Sequence, residues 1–348
     1  MRSGFVSIIG RPNAGKSTLL NALIGEKIAI VSDKPQTTRS RIQGILEVPA
    51  RKRTSAAQIV FVDTPGVHRP GTQLDRRMMQ EVYEALESRD IVILMVDAAR
   101  YSGPPVPGKT QSARAERESA EDAFVLQLLQ KLDCPVFLVI NKIDLVLRAK
   151  LLPLIQQLSA FYPFAQVIPI SAGKKDGLDI LVNKLVEYLP QGKRYFPQEQ
   201  FTDQPERFLV AELIRERILL ETGEEVPYAA AVVVERFEEP HAASKSPLTS
   251  ISAVIYCERS GQKAILIGKG GAKLKSIGAA ARKEIESLLG TRVFLELHVV
   301  VEKDWRESRR FVDDLDWRKQ LENIAEAGTL GNPARKSGRK QQSPTPGR

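Results

Sequence analysis

The octapeptide Gly10-Arg11-Pro12-Asn13-Ala14-Gly15-Lys16-Ser17 constrains this chain more than any other feature, because it satisfies G-x-x-x-x-G-K-[ST] between a strand and a helix. The strand reads as Phe5–Ile9 and the helix as Ser17–Ile24, closed at Gly25. In that setting the loop N–H groups and the helix N-terminus form a nest for a polyphosphate. Lys16 then reaches the β- and γ-phosphates, and the Ser17 hydroxyl sits on Mg²⁺. A loop of this kind needs an α/β sheet behind it.

The first half supplies one. Short apolar runs at Ile59–Val62, Ile91–Val96, Val136–Ile140 and Val167–Ile170 alternate with helical patterns, such as Phe124, Val125, Leu128, Leu129 and Leu132. Runs apolar throughout and separated by helices predict a doubly wound, mostly parallel sheet covered on both faces. Loop chemistry follows three of these strands. Asp63-Thr64-Pro65-Gly66 places a carboxylate to hold Mg²⁺ through water and an N–H to sense a γ-phosphate. Asn141-Lys142-Ile143-Asp144 offers a carboxylate to guanine N1–H and the 2-amino group, donors that adenine lacks there. Lys142 is expected to pack along the base and Asn141 to tie this loop to the phosphate loop. Ser171 and Ala172 are placed to offer a backbone N–H to guanine O6.

The pattern changes after a stretch punctuated by Pro190, Gly192, Pro197 and Pro205. The predicted order is helix 208–222, strands 230–237 and 252–257, an apolar turn 264–267, a helix 272–289 and a strand 293–301, followed by a helical stretch with Trp305 and Trp317. This is a smaller α+β domain. Its turn, Gly268-Lys269-Gly270-Gly271, is a G-x-x-G loop of the kind with which KH domains clamp about four nucleotides. The expected organisation is a nucleotide domain over 1–190, a linker over 191–206, an RNA-binding domain over 207–327 and a disordered basic tail over 328–348. The Pro-, Gly- and Ser-rich segment 101–119 reads as a flexible surface insertion.

Charge supports an anionic partner. Lys and Arg total 51 against 42 Asp and Glu, a formal charge of +9. Arg335, Lys336, Arg339, Lys340 and Arg348 lie in a tail without acids, and six Lys or Arg fall between Ser260 and Lys283, again without an acid. Lys269, Lys273 and Lys275 border the glycine loop, whose glycines allow close approach to phosphates, so single-stranded RNA is the expected ligand and no DNA is expected. Cys134 and Cys257 are too few for a disulfide framework or a four-cysteine zinc site and read as two buried thiols. The longest clean apolar run, Ile91 to Val96, is far short of the roughly 18 residues a bilayer span needs, and nothing resembles a signal peptide. A cytoplasmic protein is expected.

These motifs in this order, with Pro35-Gln36-Thr37-Thr38-Arg39 and Ile267-Gly268-Lys269-Gly270-Gly271, resemble the Era family of translation-factor-related P-loop GTPases, from about Gly4 to Asp316. The segment 101–119 and the basic tail depart from that pattern. The resemblance implies a type II KH domain, GTP and GDP as ligands, and a switch that binds 16S ribosomal RNA near its 3′ end during 30S maturation. It makes Pro35 to Arg39 the first switch, with Thr38 chosen over Thr37 as the residue closing on Mg²⁺; the two stay open alternatives. Catalytic work is carried onto Lys16, Thr38 and Gly66, and the metal donors onto Ser17, Thr38 and Asp63. In related GTPases an asparagine at the place of Asn13 ligates K⁺; here K⁺ binding and loop capping are equal alternatives. Val67 stands where Ras-like enzymes carry a water-orienting glutamine, so slow hydrolysis is expected. His68 is assigned no catalytic role. Peripheral contact with the inner membrane is left open. Competing readings are a tRNA-modification or metabolic GTPase whose second domain handles a small substrate, and an ATPase, which Asp144 disfavours.

Overall fold

The computed structural model describes residues 1–34, 36–50, 55–102, 121–223, 225–239 and 247–322. The expectations for Pro35, most of segment 101–119 and the tail lie outside these residues. The first half runs β1 (Arg2–Gly10), α1 (Lys16–Ile24), β2 (Ile42–Val48), β3 (Ala57–Asp63), α2 (Gln73–Glu87), β4 (Ile91–Asp97), α3 (Ala98–Ser102), α4 (121–129), β5 (Val136–Asn141), α5 (Arg148–Ser159), β6 (Gln166–Pro169) and α6 (Leu178–Tyr188). The strand order is β2-β3-β1-β4-β5-β6. Every neighbouring pair is parallel except β2 with β3. The fully apolar runs are buried because helices cover both faces: Ile8, Ile59 and Ile93 pack on one side, Ile9, Val92 and Leu138 on the other.

Two of the elements that were not individually predicted shape the switch side of the sheet. Strand β2 is an antiparallel edge whose burial is uneven, so it lacks the continuous apolar run that marks the interior strands. Helix α2 is amphipathic and opens with a capping box, Thr72 accepting from the Asp75 N–H while the Asp75 carboxylate accepts from the Thr72 N–H.

The stretch after α6 follows the sheet closely. The Ile45 N–H donates to the Phe201 carbonyl, the Thr202 hydroxyl to the Gln43 carbonyl, and the Tyr195 and Phe196 N–H groups to Gln58 Oε1. The expected linker is thus a strap along the β2–β3 edge, held by backbone polar groups that an edge leaves unpaired.

The second half runs α7 (Glu206–Glu221), α8 (Val226–Ala229), β7 (Ala231–Glu238), β8 (Leu248–Cys257), α9 (Ser260–Ile267), α10 (Ala272–Leu289), β9 (Arg292–Val301) and α11 (Arg309–Asp314). Its sheet order is β7-β8-β9, antiparallel then parallel. Val210, Ile214, Ile218, Ile255, Ile277, Ala281 and Ile285 form its core. The expected apolar turn 264–267 is instead the last turn of α9, whose Leu266 is buried in that core. The terminal helical stretch breaks at Leu315 and Asp316. Cys257 is buried, whereas Cys134 lies in the loop before β5 and is only half-buried, which corrects the reading of two buried thiols. Among the described residues no helix is long and apolar enough to cross a membrane.

Candidate nucleotide and RNA sites

The carboxyl ends of β1, β3, β5 and β6 converge, and the predicted nucleotide residues lie at that edge or in the loops leaving it. Ligand crevices of open α/β sheets form there. β1 ends at Gly10, and the loop through Arg11, Pro12, Asn13 and Ala14 turns into α1 at Gly15. Gly15 has φ of 97°, and a Cβ on it would sit 2.3 Å from Asn141 Nδ2. Asn141 itself is buried; its Nδ2 donates to the Ala14 carbonyl at 2.9 Å and its Oδ1 accepts from the Ala172 N–H at 2.9 Å. One side chain thus links the phosphate loop to the loops after β5 and β6, the tie expected from the sequence.

Lys16 is buried, with Nζ donating to the Gly10 and Arg11 carbonyls at 3.2 and 3.1 Å. Burial lowers its pKa to about 8, against the opposing pull of Asp63. Burial likewise raises Asp63 to about 6, opposed by Lys16 and by hydrogen bonds from Ser17, Thr38 and the Thr64 backbone. Asp63 Oδ2 accepts from Ser17 Oγ at 2.6 Å and from Thr38 Oγ1 at 3.5 Å, and the two hydroxyls are 2.8 Å apart. Asp63 Oδ1 is buried without a partner. A carboxylate with one orphaned oxygen beside two hydroxyls is a hard-oxygen donor set suited to a small divalent cation. Thr37 points elsewhere, its hydroxyl donating to the Lys34 carbonyl at 2.6 Å. Of the two threonines, Thr38 is the one whose hydroxyl lies beside Ser17 and Asp63.

Gly66 is buried against the phosphate loop, where a Cβ would meet Pro12 Cγ at 2.6 Å. Thr64 anchors this turn through its hydroxyl to the Ile8 carbonyl at 2.8 Å, and Pro65 lies between them. Val67 donates its N–H to the Gly10 carbonyl and buries its side chain with Ile9 and Met79, so it is a core residue. In the guanine-directed loop, Asp144 is exposed and accepts from Ser171 Oγ at 2.6 Å, which orients its carboxylate. Lys142 donates to the Asn13 carbonyl at 2.8 Å and to Asp97 at 2.7 Å. Arg11 pairs with Glu121 and Asp122. Asn13 has φ of 64° and donates to the Asp33 carbonyl, a loop-bridging contact.

Sequence reasoning missed Asp75. Besides capping α2, it accepts from Gln36 Nε2 at 2.8 Å and lies 3.1 Å from His68 Nε2, while His68 Nδ1 is 2.7 Å from the Gly66 carbonyl. With an acceptor at each ring nitrogen, the imidazolium form is favoured, and the Asp75 hydrogen bond raises the His68 pKa. Burial acts to raise Asp75, but the bonds from His68, Thr72 and Gly71 outweigh it and hold the carboxyl below its usual range. The Thr-x-x-Asp spacing of a capping box was the available signal.

The segment between Val31 and Arg39 also touches the second half. The Val31 N–H donates to Glu216 Oε1 at 3.0 Å, and Lys34 Nζ to the Thr222 carbonyl at 2.5 Å. Arg215 Nη2 donates to the Thr37 carbonyl. Arg39 donates to the carbonyls of Ala230 at 2.7 Å, Tyr228 at 3.1 Å and Pro227 at 3.2 Å. No local motif announces Arg215 or Glu216, because their partners lie far away along the chain.

In the second half, Gly268, Gly270 and Gly271 have φ of 71°, 58° and 80°. Open space lies where Cβ atoms of Gly270 and Gly271 would project, and Lys269 and Lys275 are exposed beside them. Lys273, half-buried, closes the turn under Gly268. A groove continues between α10 and β9, lined by Leu274, Lys275, Gly278, Arg282, Phe294 and Leu297. Phe294 is 55% exposed at its edge and was not predicted; alternation in β9 was its signal.

Comparison with known proteins agrees with this geometry. The 50S ribosome-binding GTPase family matches residues 5–142 and the KH domain family residues 225–306. The chain is 49% identical to GTPase Era of Geobacter metallireducens, covering 91% of this chain and 98% of the relative. It is 42% identical to GTPase Era of Ruminiclostridium cellulolyticum, with coverage of 91% and 98%. Two solved structures, each 38% identical and covering 91% of this chain and 99% of theirs, superpose well. One is Aquifex aeolicus Era bound to GDP and AlF4⁻, at a TM-score of 0.79. The other is Era in complex with MgGDPNP and nucleotides 1506–1542 of 16S ribosomal RNA, at 0.80. With a P-loop domain and a KH domain joined in the same order over nearly the full length of these relatives, the chain belongs to the Era family of GTPases.

Proposed function

We propose that this GTPase is a nucleotide-controlled switch that binds 16S ribosomal RNA near its 3′ end and assists assembly of the 30S subunit. The observation that carries the reading is the placement of residues 31–34 and 36–39 between the phosphate loop and α7, the contacts through which this reading couples the two sites. The relative bound to 16S nucleotides supports the RNA target.

In this reading Gly10 to Ser17 cradle the phosphates through backbone N–H groups, and Lys16 neutralises β/γ charge. Asp144 recognises guanine, Ser171 orients it, and the Ala172 N–H lies beside the base edge. Lys142 flanks the base, and Asn141 keeps these loops in register. Asp63, Ser17 and Thr38 would hold Mg²⁺, which supplies charge stabilisation to the transferring phosphoryl group. Thr38 and the Gly66 N–H report the γ-phosphate and relax when it leaves. Val67 contributes no water-orienting group, so turnover is slow. Asn13 supplies a K⁺ contact once its bond to Asp33 is exchanged. The glycine loop, with Lys269, Lys273 and Lys275, admits phosphates of single-stranded RNA, and Phe294 offers a face for base stacking. A cytoplasmic location with peripheral membrane contact remains part of this proposal and is checked by cell fractionation.

The test is binding of a 3′-terminal 16S fragment to the full chain. Neutralising three or four phosphates gives a slope of log K against log[salt] of about −2 to −3. The double variant K269D/G270D puts carboxylates against the RNA backbone; binding should collapse while GTP hydrolysis persists. Unchanged RNA affinity refutes the assignment of this loop.

A further inference from the structure

Thr38 is held from both sides by the second domain. On its N-terminal side, the Thr37 carbonyl accepts from Arg215, a side chain 3% exposed on α7 and fixed by Glu212 through Nε and Nη2 at 2.8 and 2.7 Å. On its C-terminal side, Arg39 reaches the carbonyls of Pro227, Tyr228 and Ala230 at the end of α8 and lies 5.6 Å from the ring centroid of Trp305. Trp305 is fully buried and donates Nε1–H to the Ala229 carbonyl at 2.8 Å, so the surface under Arg39 is itself rigid. By contrast, the nucleotide domain holds Thr38 itself through its hydroxyl, at Ser17 and Asp63.

A guanidinium that meets three carbonyls and an aromatic face is an anchor of defined geometry, and lysine cannot reproduce its fork. With Arg39 anchored in this way and the Thr37 carbonyl held by Arg215, little backbone freedom is left at Thr38. Holding a group where it is needed reduces the ordering required at the moment of reaction.

From this geometry we infer that Arg215 and Arg39 are positioning residues for GTP hydrolysis, through which the RNA-binding domain sets the place of Thr38. This rests on the reading of Thr38 as the switch threonine. The KH-bearing half is then a built-in activator: nucleotide turnover depends on its contact with residues 37–39. Because coupling is reciprocal, the triphosphate state tightens that contact in turn.

The experiment uses the full chain with Mg²⁺ and compares Arg215→Met, Arg39→Met, Arg215→Lys and Thr38→Ala. Four quantities are read: GDP affinity, GDPNP affinity, kcat against KM, and amide hydrogen exchange of residues 36–40 in the GDPNP state. GDP affinity reports that the nucleotide domain is folded, since GDP lacks the phosphate that Thr38 senses. For the two methionine variants the expected result is GDP affinity within about twofold of the parent. GDPNP affinity and kcat should fall about tenfold or more, the factor carried by a lost charge-assisted hydrogen bond, and exchange at 36–40 should accelerate. Arg215→Lys keeps one donor and should recover part of the loss. If Thr38→Ala lowers GDPNP affinity and kcat but both methionine variants match the parent in all four readouts, the inference is overturned and the contacts only dock the two halves. If Thr38→Ala is itself silent, the switch assignment fails and the inference falls with it.

Discussion

Replacing Asn141 by alanine removes the side chain that spans three loops. Asn141 is 2% exposed, and both of its partners, the Ala14 carbonyl and the Ala172 N–H, belong to residues 2% exposed. An unpaired buried polar group costs about 1–3 kcal/mol, so two of them set a range of roughly 2–6 kcal/mol. Partial relaxation of the Ala172 loop brings the expected loss to about 2–4 kcal/mol, a large fraction of the roughly 5–15 kcal/mol by which domains are stable. Urea denaturation of the nucleotide-free protein, followed through the nucleotide domain, reads this as a lower midpoint at constant slope. Asn141→Asp separates the two bonds, since its carboxylate still accepts from Ala172 but faces the Ala14 carbonyl without a donor. It should be no more stable than the alanine variant. A loss below about 0.5 kcal/mol for Asn141→Ala, the scale of an ordinary surface change, would refute the claim that this side chain holds the loops together.

The guanine assignment predicts strong preference for GTP and GDP over ATP, and acceptance of xanthine nucleotides by Asp144→Asn; equal affinity for ATP in competition binding would sink it. Hydrolysis should be faster in KCl than in matched NaCl, Asn13→Ala should chiefly remove that preference, and Lys16→Ala should abolish nucleotide binding. Identical rates in the two salts eliminate the potassium role. The His68–Asp75 pair predicts a pH effect. His68 is raised in the folded state, so its contribution is complete below the unfolded value of about 6.5 and is lost as pH rises through the folded value. Parent stability should therefore decline with pH above about 6.5 more steeply than that of His68→Gln. Superimposable melting profiles against pH would show that the pair contributes nothing.

Local sequence determined the sites whose chemistry is local. A glycine-rich loop between a strand and a helix has few alternatives, because backbone N–H groups of consecutive residues make the phosphate nest and only glycine tolerates φ of 97° beneath Asn141. Interior strands were equally legible, since burial on both faces demands uninterrupted apolar runs such as Ile91–Val96. Edge strand β2 and helix α2 were not, as half-buried elements carry mixed patterns that resemble loops. Tertiary structure alone shows that Thr38 and not Thr37 faces Ser17, because neighbouring residues of one type differ only in which way the folded backbone points them. It alone brought Arg215 to the Thr37 carbonyl across 178 positions of chain. Such contacts leave no periodicity or spacing to read: they arise where two independently packed cores meet, and only their relative placement puts donor beside acceptor.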